Sequence, residues 1–133
     1  LQDNIFDLTQ LILGKKIDQA RDLVKDLTLQ GEDEIKLIAI MLGQFRLYTQ
    51  VKILQESGQT ESQMVSSLGH YLGRNPNPYQ IKFALRDTRG LSLNFLQDSI
   101  RYLIQADYQI KTGVYEKGYL FEKALLQIAS QSN

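Results

Sequence analysis

The 133-residue chain has no cysteine, no tryptophan, one histidine and two prolines, and its fifteen basic side chains are matched by fifteen acidic ones. Without cysteine there are no disulfides, no thiolate metal sites and no thiol nucleophile, and a reducing compartment such as the cytoplasm suits the chain. With His70 alone, a His-Glu-x-x-His pair cannot form, and neither a nucleophile elbow nor a dinucleotide fingerprint is present. The zero net charge excludes binding of polyanions through bulk charge. No uninterrupted apolar run reaches the roughly 18 residues of a membrane span, so no membrane partner is expected. No stretch alternates with period two, so strands are not expected either.

What remains is helical. The stretch Asp33 to Ser57 sets Ile35, Ile38, Leu42 and Phe45 on one stripe and Leu37, Ile40, Met41, Leu47, Tyr48 and Val51 over most of the rest, the pattern of a central helix. Asp33 caps its start and Gly58 stops it, while Gly43 within it fits either a close approach by a neighbouring helix or a tolerated surface position. Before it, Asn4 caps a helix to Leu13 ended by Gly14, and a second runs from Ile17 to Gln30. After it, Thr60 and Gln63 form a capping box for a helix to Leu68, and Asn77-Pro78 opens another that ends near Gly90. Ser92 caps a long helix stopped at Gly113, and a last one covers Glu116 to Ser130. The expected fold is all-α: one domain of about seven helices around a central helix near 33–57, with GHYLGRNPN, residues 69–77, as its least regular loop.

Candidate chemistry is sparse. Gly14-Lys15-Lys16 resembles the end of a phosphate loop, but Thr9 replaces its first glycine and Lys16 its hydroxyl residue. Asp18, Asp22 and Asp26 share a helix face, yet Arg21 and Lys25 are interleaved with them, which favours a solvated face over a metal site. No catalytic residue, cofactor or metal is expected. Charge, however, is uneven: residues 1–66 carry seven basic and ten acidic groups, net −3, and residues 67–133 carry eight basic and five acidic, net +3. Within the basic half Lys82, Arg86 and Arg89 recur at helical spacing, a pattern for phosphates or an acidic partner as well as for a plain solvated face. The helices flanking residues 69–77 permit a helix-turn-helix reading, opposed by the length of that loop. Asp107 falls on the stripe Leu96, Ile100, Leu103, Ile110 and is expected to be buried against Arg46 or Arg86 before Lys111, since an inward acid needs a partner.

The stretch IFDLTQLILGKKIDQARDLVKDLTLQGEDEIKLIAIMLGQFRLYTQVKIL, with PYQIKFALRDTRGLSLNFLQDSIRYLIQADYQIKTG, resembles the C-terminal domain of the delta subunit of the bacterial DNA polymerase III clamp loader. Its more specific parts are Gln44-Phe45-Arg46, the Pro78-Tyr79 start with Lys82, and Ala106-Asp107 through Ile110-Lys111-Thr112-Gly113. GHYLGRNPN departs from the shorter histidine-and-proline loop of that family. The resemblance implies a collar domain that oligomerises with the other loader subunits around primed DNA. It also implies that the AAA+-like modules, and with them the contact to the sliding clamp, lie in a longer parent upstream of this chain. On that reading Lys82, Arg86, Arg89, Tyr102, Tyr108 and Tyr119 are partner-interface candidates, and Tyr115 with Lys117 is a candidate DNA contact. The competing reading is a free-standing helical adaptor or nucleic-acid-binding module.

Overall fold

In the computed structural model, which describes residues 1–133 apart from the side chains of Gln2 and Tyr71, seven helices follow in order. They are α1 (Gln2–Leu13), α2 (Ile17–Leu29), α3 (Glu34–Glu56), α4 (Glu61–Leu72), α5 (Pro78–Asp87), α6 (Leu93–Lys111) and α7 (Lys117–Ala129). No strand occurs among the described residues, so the fold is an all-α bundle.

Local chemistry sets most of the boundaries. The Asp33 carboxylate accepts from Ile35 N, the Ser92 hydroxyl from Phe95 N and the Asn77 side chain from Tyr79 N, with Pro78 at the first turn. Thr60 and Gln63 complete a reciprocal capping box. Each satisfies an N–H group that the helix itself leaves unpaired, a gain of about 1 kcal/mol per cap. Helix α1 ends at Leu13 before Gly14 as expected and differs at its start. It starts at Gln2 rather than after Asn4, and Gly14 keeps φ −83° while Lys15 takes the left-handed conformation at φ 60°. Lys15 N bonds Ile12 O and Lys16 N bonds Leu11 O, the paired closure of a Schellman end. The Lys15 ammonium then reaches the carbonyls of Ala129 and Gln131 at 2.5 and 2.9 Å, so a lysine here also closes the end of α7.

Helix α3 is the centre, packed by α1, α4, α5, α6 and α7. Leu37, Ile38, Met41, Leu42, Phe45, Tyr48 and Val51 are buried along it and join Ile5, Leu8, Leu96, Leu103, Phe121 and Ile128 in one continuous core. By length and apolarity α3 would also pass as a membrane span, and its buried face shows why it is apolar. Its other face is open. Ala39, Gly43 and Arg46 are exposed, and nothing lies within 4 Å of a Cβ placed on Gly43, so of its two readings the surface position holds and no helix approaches closely there.

The close approach is at Gly69 instead. Helix α4 runs on to Leu72, past the expected end at Leu68, and stops at left-handed Gly73. A Cβ on Gly69 would lie 2.8 Å from Asn75 Oδ1, because the following loop folds back over the helix there. That leaves residues 73–77 as the connection, shorter than the nine-residue loop expected from the sequence. His70 thus lies on the last turn of α4 and is exposed.

Candidate partner interface

A buried polar node fixes α5 to the centre of the bundle. The Asp87 side chain is 2% exposed, and its Oδ2 accepts from Gln10 Nε2 at 2.6 Å and the Tyr48 hydroxyl at 2.9 Å. Its Oδ1 takes the Arg86 Nε–H at 3.0 Å. One carboxylate thereby joins α1, α3 and α5 and spreads its charge over three donors. One turn along α3, the Lys52 ammonium donates to Thr88 O at 3.2 Å, placing a cation at the negative end of α5.

Burial, reinforced by the Asp87 charge, pushes the Tyr48 phenol well above its usual range, so Tyr48 remains a donor. Its folded pKa being raised, the contribution is present below the unfolded value of about 10 and is lost as pH climbs through the gap, at about 1.4 kcal/mol per pH unit. Tyr48→Phe should therefore flatten the fall of melting temperature above about pH 10 relative to the parent chain. Parallel curves for the two proteins would show that Tyr48 titrates normally.

With Asp87 held inward, the outer face of α5 is left to Tyr79, Lys82, Phe83, Arg86 and, just past its end, Arg89, all exposed. Ile81, Ala84 and Thr88 form the opposite, buried face. The Arg86 guanidinium carbon stands 4.9 Å from the Phe83 ring centre, and Phe83 meets Phe6 of α1 at 5.8 Å. Lys82 and Arg89 form no ion pair among the described residues.

At the far end of the bundle the α6–α7 hairpin carries a second exposed cluster. Tyr108 is 65% exposed, Tyr115 66% and Tyr119 55%, with Val114 and, at the end of α2, Leu29 also in solvent. The rings of Tyr115 and Tyr119 lie 5.7 Å apart in a tilted pair, and Lys117 Nζ approaches Asp33 Oδ1 at 3.6 Å. Tyr119 continues into a groove of about 400 Å³ between α2 and α7, floored by Ile17, Ala20, Val24 and Leu125 and bridged by Arg21 Nε to Glu122 Oε1 at 2.6 Å. Tyr102 belongs elsewhere. It is half-buried, packs on the core and lies under the Arg101 guanidinium at 4.9 Å.

The sequence-predicted ion pair is corrected. Asp107 is not buried against Arg46 or Arg86: its side chain is 26% exposed and pairs with Lys111 at 2.9 Å, one turn on. Arg46 is exposed on the open face of α3, and Arg86 is engaged by Asp87. The buried stripe of α6 runs through Leu96, Ser99, Leu103, Ala106 and Ile110, which rotates Asp107 to its edge. A partly exposed i,i+4 pair at the edge of a helix face contributes little, so Asp107→Ala should change stability by no more than about 0.5 kcal/mol in chemical denaturation. The acidic row Asp18, Asp22, Asp26 is exposed, and no group of three His, Asp or Glu side chains suited to a metal forms among the described residues. Helix α2 rests on α1 and α7, whereas α5 rests on α3 and α4, so the acidic row and the basic stripe have different neighbours. The node at Asp87 escaped sequence reasoning. Its signal was that Asp87 is the one acid between Glu61 and Asp98.

A family model described as "DNA polymerase III delta subunit, C-terminal domain" matches residues 2–128. The chain belongs to that family. It is similar to the DNA polymerase III subunit delta of Bacillus subtilis (strain 168), with 33% identity over 132 residues, covering 99% of this chain and 36% of that protein. Its structure is similar to that of the Bacillus subtilis DNA clamp loader delta protein (YqeN), with a TM-score of 0.83 and 32% identity over 98% of this chain and 37% of the other. The chain thus spans little more than a third of the length of these relatives.

Proposed function

We propose that this domain is a non-catalytic, collar-type assembly module of a clamp-loader delta subunit. In this reading it joins the matching helical domains of the other loader subunits in a ring around primed DNA, in the cytoplasm. ATPase-like modules and the contact to the sliding clamp belong to other parts of the longer protein. The observation that carries the reading is the tyrosine-rich end of the α6–α7 hairpin, where Tyr108, Tyr115 and Tyr119 are each more than half exposed, running into the α2/α7 groove. Tyrosines with apolar neighbours and few free charges are the composition of an interface core.

A ring of unlike subunits needs two different faces on each domain, since a head-to-tail contact joins dissimilar patches. The hairpin end and the α2/α7 groove supply one, and the open face of α3 at Ala39, Gly43 and Arg46 is available for the other. The domain by itself should therefore be monomeric. Sedimentation velocity of mixtures with the C-terminal domains of the other loader subunits, at low and moderate salt, is the test. Association with at least one of them, weakened by Tyr115→Ser with Tyr119→Ser, is expected. Absence of binding to every one at high micromolar concentration would overturn the assembly role.

A further inference from the structure

From Ser62 to Gln97 the chain carries Arg74, Lys82, Arg86 and Arg89 and a single acid, Asp87. In the fold all four cations are exposed, while the one carboxylate is turned inward and consumed by Gln10, Tyr48 and Arg86. With Asp87 offsetting Arg86 alone, the outer surface of α5 and its flanking turns presents the positive charges of Arg74, Lys82 and Arg89 with no carboxylate of their own segment against them. Arg74, Lys82 and Arg89 are unpaired among the described residues. Tyr79, 66% exposed, and Phe83, 42% exposed, stand on the same stripe, each three residues before a cation, Lys82 and Arg86. On its inner side the stripe borders a groove of about 590 Å³, walled by Phe6, Ile40, Gly43, Leu47 and Phe83, with Asp3 as its one acid.

From this arrangement we infer that the outer face of α5 is a binding surface for single-stranded nucleic acid. Lys82, Arg86 and Arg89 neutralise successive phosphates, and Tyr79 offers its ring to a base. Two features favour nucleic acid over an acidic protein surface. Lysine is depleted from protein interface cores, and here Lys82 lies in the middle of the stripe. Interleaved cations and exposed aromatic rings are what sequence-tolerant recognition of a single strand requires, because every base has a face to stack. Asp87 has a positioning role: it holds the Arg86 guanidinium by Nε over Phe83 and leaves its two terminal nitrogens free to turn outward. The surface is separate from the tyrosine end of α6–α7, so the inference does not rest on the assembly role.

The test is fluorescence anisotropy of this chain with labelled oligothymidylate and, in parallel, with a labelled duplex. With about three phosphates neutralised, the affinity for the single strand should fall with a log–log salt slope near −2, about 20-fold between about 50 and 200 mM salt. Lys82→Gln with Arg89→Gln, two residues that form no ion pair among the described residues, should weaken binding at least about 10-fold at the lower salt and bring the slope above about −1 with an unchanged melting temperature. Tyr79→Ser should weaken the single strand about 5-fold or more and leave the duplex unaffected, as expected for loss of one stacked base. Absence of salt-dependent binding, full affinity in the Lys82/Arg89 double variant, or equal effects of Tyr79→Ser on single strand and duplex would each overturn the proposal. Displacement by poly-glutamate as effective as by unlabelled oligothymidylate would do the same, and would assign the stripe to an acidic protein partner.

Discussion

Replacing Phe45 with alanine should lower the free energy of unfolding by about 3–5 kcal/mol, the largest single effect expected in this domain. Phe45 lies midway along α3 at 0% exposure, and its ring meets that of Tyr48 edge-on at 5.6 Å between centroids. Truncation loses the transfer free energy of the ring and leaves a void at the helix that five others pack against, where no neighbour can close in without leaving its own contacts. Phe45→Leu should recover more than half of the loss by refilling most of the volume. Urea denaturation of the two variants checks this. A loss below about 1 kcal/mol for the alanine variant would mean that the core around α3 is far looser than the structure describes.

Asp87→Ala should follow at about 3 kcal/mol, although Asp87 stands at the end of a short helix with a mostly exposed arginine beside it. The cost arises from its partners. Tyr48, buried in the core, and Gln10 both lose their acceptor, and each stranded donor costs about 1–3 kcal/mol. Asp87→Asn retains one carbonyl oxygen and should cost about 1 kcal/mol less than alanine. Tyr48→Phe combined with Asp87→Ala should then cost less than the two single changes added together, because the orphaned hydroxyl is gone. Additive losses in that double-mutant cycle would break the link between the two residues.

The contrast between Asp87 and Asp107 marks how far the sequence could be read. Helix existence and most helix starts were legible because capping is a local event: Asp33, Thr60 with Gln63, Asn77-Pro78 and Ser92 all act within a few residues of their own position. Tertiary partners were not. The spacing of large apolar residues in α6 pointed to a face holding Asp107, but the buried face passes through the small residues Ser99 and Ala106, where α3 and α7 come close. Ser99 is satisfied there by its own helix, donating to Phe95 O, and by Gln131 from beyond α7.

The glycines divide in the same way. Gly43 and Gly69 both lie inside helices, and only the surroundings distinguish the open one from the crowded one. The left-handed Lys15 likewise depends on carbonyls at the end of α7, more than a hundred residues away in sequence. Of the residues singled out for partner contact, Tyr108, Tyr115 and Tyr119 gather at one end of the bundle and Lys82, Arg86 and Arg89 on α5, while Tyr102 is drawn partly into the core. Helical spacing alone could not place Tyr102, because it occupies the edge of an amphipathic face where a small rotation decides burial, and Tyr115 lies outside the helices altogether.

The assembly role is tested most directly by hydrogen–deuterium exchange of this domain, free and within a reconstituted loader. Assembly should slow exchange in the first turns of α7, in residues 111–116 and along α2, where the tyrosine end and the α2/α7 groove lie, with little change in the buried middle of α3, already protected in the free domain. Identical exchange in the free and assembled states across those segments would contradict the account.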